Sequence, residues 1–102
     1  MGKQSLSSEI SASISDLEAL SEKDPTNTEL NTKIQEMYDL LQEAEGREWE
    51  EQIEEYVQAK IALSEAQEEA KKAIIDLSKT ANAINKTASA IEKVLAVLAL
   101  IL

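Results

Sequence analysis

The chain has 102 residues, with 20 Asp or Glu against 10 Lys or Arg, for a net charge of −10. That length holds one domain at most and a modest core. The charge excludes ordinary nucleic-acid binding and works against docking on anionic lipid, since no basic patch is visible to offset it. His and Cys are both absent, so zinc, haem, di-iron and nucleophile–His sites lack their usual residues. The glutamates over 43–55 lack the spacing of a calcium loop. The chain is therefore expected to be non-enzymatic, with no metal and no cofactor.

With only two Gly and one Pro there is little turn or strand punctuation, and the common residues are good helix formers. Met1–Gly2–Lys3–Gln4 leads into a serine-rich stretch. That is not a signal peptide of the usual form, and the compartment is cytoplasmic by default.

A first helix is predicted over about 5–22, where Leu6, Ile10, Ile14, Leu17 and Leu20 fall at helical spacing. Ser5 or Ser7 would cap it. Its further serines favour local backbone hydrogen bonds, so the helix depends on packing. Lys23–Asn27 is the clearest break. Asp24 as N-cap with Pro25 at the first helical position, or Thr26 with Glu29 as a capping box, starts a second helix over about 25–45. Leu30, Ile34, Met37, Leu41 and Ala44 form its stripe, widened by Tyr38 and Leu40. A link this short makes the two helices an antiparallel hairpin.

Gly46 lies in an acidic run of Glu43, Glu45, Glu48, Glu50, Glu51, Glu54 and Glu55, relieved only by Arg47. The apolar register slips here. A turn and a kink in a continuous helix both fit. Trp49, Ile53 and Tyr56 share a helical face, and either pack in the core near the kink or offer an aromatic hot spot to a partner.

No Gly or Pro interrupts the chain from Arg47 onward, so one long helix is predicted over about 47–102, roughly 80 Å in length. Ser64 with Gln67 is a second capping pair, with no Gly or Pro before it. From Leu63 a heptad series runs unbroken through Gln67, Ala70, Ile74, Leu77, Ala81, Ile84, Ala88, Ile91, Leu95, Leu98 and Leu102. A second series runs beside it through Ala66, Ala73, Thr80, Ala83, Thr87, Ala90, Val94, Val97 and Ile101. A surface this broad suits a helix touching two neighbours. Lys72, Lys79, Lys86 and Lys93 recur every seven residues along its edge, as a solvated line with snorkelling stems.

The run 94–102 is apolar on every side. It is too short to span a membrane. Burial in an oligomer or against the first helix, insertion into a membrane surface, and continuation of the sequence past Leu102 all fit it.

These features predict an all-α fold: an N-terminal helical hairpin plus a long C-terminal heptad helix, as a helical bundle or coiled-coil assembly. The expected role is a structural or interaction protein that self-associates as a homo-oligomer, with a helical protein partner as a further option. Its expected interface is Leu63, Ala70, Ile74, Leu77, Ala81, Ile84, Ala88, Ile91, Val94, Leu95, Leu98 and Leu102. The alternative is a membrane-active protein, pore-forming or lipid-inserting, that uses residues 94–102.

Overall fold

The N-terminal hairpin forms as its apolar spacing predicts. In the computed structural model, which describes residues 3–100, α1 spans Ser7–Lys23 and α2 spans Thr28–Ala44. The Ser5 hydroxyl accepts from the Ser7 amide at 3.1 Å at the head of α1. The turn chemistry differs from the expected choices. Asn27 caps α2, its Oδ1 accepting from the Leu30 amide at 3.0 Å. Asp24 instead ends α1, with its amide donating to Leu20 and Ser21 carbonyls, and its carboxylate accepts from Asn27 Nδ2 at 3.0 Å. Asx side chains serve turns as readily as caps, and here Asp24 takes the first role and Asn27 the second.

Gly46 is a turn and not a kink. Its φ of +78° lies in the left-handed region, the usual conformation just past a helix C-terminus. The chain then runs extended. Trp49–Glu50 (β2) pairs antiparallel with Lys3–Gln4 (β1), Lys3 opposite Glu50 and Gln4 opposite Trp49.

The single long helix over 47–102 is not present. Helix α3 spans Glu54–Ile75 and α4 spans Thr80–Leu98, separated by a tight 3-10 turn over Leu77–Lys79. Asp76 leaves helical geometry at φ −138°, ψ 99°. Its Oδ1 accepts from the Ser78 amide at 3.1 Å and from the Ser78 hydroxyl at 2.7 Å, and Thr80 Oγ1 donates to the Leu77 carbonyl at 2.8 Å. An Asx-type turn thus does the work that Gly and Pro usually signal. The driving force is burial. A continuous helix would leave two apolar stripes in water, whereas folding back buries the second series and part of the first, at roughly 25 cal/mol per Å².

Helix α1 packs on α2 and α3, and α4 packs on α3 and α2. Ser13 Oγ donates to the Leu63 carbonyl at 3.4 Å, and Lys71 Nζ lies 3.8 Å from Asp16 further on. α1 and α3 therefore run parallel, with α2 and α4 returning beside them. The result measures 40 × 20 × 17 Å. One pole gathers β1, β2 and Gly46. The other carries the two interhelical turns.

The second apolar series is the one that fills the interior. Ala66, Ala73, Thr80, Ala83, Thr87, Ala90, Val94 and Val97 are all buried, against Leu6, Ile10, Ile14, Leu17 and Leu20 of α1 and Leu30, Met37, Leu40 and Ala44 of α2. An α-helix drifts about 20° per heptad against a strict seven-residue repeat. The heptad series consequently wanders from core to rim along α3 and α4.

Candidate interaction surface

The expected interface residues divide into three groups. Leu63, Ala70, Ile84 and Val94 are buried within the chain's own core. A second copy could reach these four only by opening the fold. Ile74, Ala88, Ile91 and Leu98 are half-buried, with Ile74, Ile91 and Leu98 packed on the edge of the core. Ala81, Leu77 and Leu95 are exposed, Leu77 to 45% and Leu95 to 48%. Leu102 lies outside the described residues.

Ala81, Ala88, Ile91, Leu95 and Leu98 follow one flank of α4. Ile91 and Leu95 meet Leu40 of α2 in a shallow groove of about 190 Å³, rimmed by Glu36, Asp39 and Glu43. Ile91 and Leu98 of this flank pack on the edge of the core, while Ala81 and Leu95 are exposed.

Trp49 and Tyr56 pack inward. Trp49 is 1% exposed, and Ile53 is half-buried beside the core. Trp49 and Tyr56 thus take the core position that is one of their two expected placements. The Arg47 guanidinium stands 5.5 Å from the Trp49 ring centroid and donates to the Leu98 carbonyl at 3.1 Å. Among the described residues, Trp49 Nε1, Tyr56 OH, Glu9 Oε2 and Thr87 Oγ1 are buried without a hydrogen-bond partner. Burial, then the charges of Glu9 and Glu51, hold the Tyr56 phenol above its ordinary range.

A second groove, of about 560 Å³, lies beside this pole. Tyr56, Val57 and Ile61 give it an apolar wall, with Gln4, Glu51, Gln52, Lys60 and Ser64 around them. Sequence periodicity did not reveal it, because Val57 and Ile61 fall outside the core stripe. Nor did it mark Ile75, which is 89% exposed at the turn between α3 and α4. The available signal was Asp76–Leu77–Ser78, an Asx-turn pattern that places its flanking apolar residues in solvent.

Of the apolar run over 94–102, Val94 and Val97 are core, Leu98 and Leu100 are half-buried, and residues 101–102 lie outside the described residues. Among the described residues no helix is long and apolar enough to cross a membrane. Compared with family models, curated proteins and solved structures, the chain matches none.

Proposed function

We propose that this chain is a non-enzymatic interaction protein, a four-helix bundle that self-associates through the uncovered part of residues 63–102. The observation that supports this is the flank of α4. Once the second apolar series has filled the core, Ala81, Ala88, Ile91, Leu95 and Leu98 still form an aligned apolar edge. Ala81 and Ala88 let a facing helix approach closely, and Leu95 supplies an anchor. The same flank on a second copy gives a self-complementary contact of the kind that closes a two-fold dimer.

The acidic rim of Glu36, Asp39 and Glu43 sets the expected strength. Two copies facing across it bring like charges together, so the contact is modest and tightens with salt. Replacing Leu95 with Asp adds a charge to the centre of the flank without touching the core. Absolute mass by light scattering after size exclusion tests this. Leu95→Asp is expected to lower the mass at every concentration, and an unchanged mass would overturn the use of this flank.

A further inference from the structure

We propose that a second, end-to-end contact joins copies of this chain: the turn between α3 and α4 of one copy seats in the Tyr56–Val57–Ile61 groove of the next. This rests on the reading of the chain as a self-associating protein, and specifies how one copy receives another.

The turn is an apolar tip with basic shoulders. Ile75 is 89% exposed and Leu77 45%. Residues 71–86 carry Lys71, Lys72, Lys79 and Lys86 against the lone acid Asp76, so this segment has a net charge of +3 in a chain of net −10. The Asp76 carboxylate is turned onto Ser78. Lys71, Lys72 and Lys86 are exposed and lie 3.2–3.8 Å from Asp16, Glu69 and Glu65, of which Asp16 and Glu69 are half-buried; ion pairs with an exposed ammonium are weak and yield to another anion.

The groove is the complement. Val57 and Ile61 are exposed large apolar side chains beside Tyr56, and Glu51 and Gln52 form part of the rim. The adjoining segment over 43–55 carries seven glutamates against Arg47 alone, a net charge of −6. Lys60 is the single cation on the groove wall. An apolar tip flanked by Lys71, Lys72 and Lys79 therefore meets an apolar wall that adjoins the acidic segment over 43–55, and opposite potentials steer the encounter.

Both complements are on one chain but cannot meet within it. Val57 and Ile75 are 18 positions apart on α3, about 27 Å at 1.5 Å per residue. They can be joined only between copies. Such a contact is heterologous, so it does not close at two copies but continues into an open row.

Sedimentation velocity over a concentration series distinguishes this contact from the α4 flank. It is run in the Leu95→Asp background, in which end-to-end growth is expected to persist, and to fade at roughly 1 M salt, where the screening length is about 3 Å. In that background Ile75→Asp removes the tip and Ile61→Asp removes the wall. Both positions are exposed, so the fold is retained, which far-UV circular dichroism checks. Each variant alone is expected to bind its own kind about tenfold more weakly or worse. Mixed in equal amounts, they are expected to form a one-to-one pair, since an intact tip on one meets an intact groove on the other. Lys72→Glu combined with Glu51→Lys in one chain is expected to recover growth that either reversal alone weakens.

Loss of all association in Leu95→Asp would overturn the end-to-end contact and leave self-association standing. A monomeric wild type at every concentration would overturn both. No pairing in the mixture would also overturn it, as would Ile75→Asp that leaves mass unchanged but abolishes binding to phosphatidylserine vesicles.

Discussion

Arg47 donates from Nη2 to the carbonyl of Leu98 at 3.1 Å, across 51 positions of sequence. The bond ties the segment just after α2 to the last turn of α4. It also places a cation where the helix dipole is negative, and the same guanidinium lies over the Trp49 ring. Arg47 is the only basic residue within the glutamate run over 43–55. Arg47→Ala is expected to cost about 1–2 kcal/mol, read as a lower urea midpoint with an unchanged slope. Arg47→Lys should recover only part of it, because an ammonium cannot both stack on the ring and reach the carbonyl as a guanidinium does.

Gly46 isolates a backbone effect. Its φ is +78° and a Cβ added there would meet nothing within 4 Å. Gly46→Ala is therefore expected to destabilise by about 1–2 kcal/mol, the cost of left-handed backbone alone. Gly46→Asn should cost less, since Asn tolerates that region. Equal losses for Ala and Asn in thermal unfolding would contradict this reading.

Neighbouring residues Val94 and Leu95 separate core from flank. Val94 is fully buried and Leu95 is 48% exposed. Val94→Ala is expected to lose about 2 kcal/mol. Leu95→Ala should change monomer stability by less than about 0.5 kcal/mol. Denaturant titration at low concentration measures both, and the reverse order would mean that the other stripe is the core.

Much of this was legible in the sequence. Leu6 to Leu20 and Leu30 to Ala44 showed the hairpin, because each helix buries one face and its spacing records that face. The two stripes of 63–102 were also legible. Which of them faces inward was not, because that depends on where the helix breaks. The break at Asp76 hid because Asp, Leu and Ser are all compatible with a helix and only their hydrogen bonds to one another undo it. Trp49 and Tyr56 were open between core and partner, and the antiparallel pairing of β1 with β2 draws Trp49 inward. The Val57–Ile61 groove left no periodic trace, since an exposed apolar pair on a helix looks like ordinary surface.

Thr87 offers a gain in stability. Its Oγ1 is buried and, among the described residues, has no hydrogen-bond partner. Thr87→Val keeps the shape and removes the unpaired hydroxyl, so it is expected to raise stability by about 1 kcal/mol. A loss on thermal unfolding would mean that the hydroxyl has a partner in solution.

The Asp76 turn predicts an acid dependence. The hydrogen bonds from Ser78 hold the Asp76 carboxyl below its ordinary value. A depressed folded value means that the ionised group stabilises the fold. That contribution is complete above the unfolded value of about 3.9 and is lost as pH falls through the lower folded value. Asp76→Asn should therefore be less stable than wild type at pH 7, with the gap closing in acid. A gap that is constant from pH 7 to about pH 2 would contradict the carboxylate's role.

The most direct test of self-association is the absolute mass of the intact chain in detergent-free solution, followed by light scattering as concentration is raised. The protomer mass is 11.2 kDa. The uncovered flank of α4 predicts a mass that rises above this value with concentration and is lower in Leu95→Asp at each concentration. A mass that stays at one protomer throughout would contradict it.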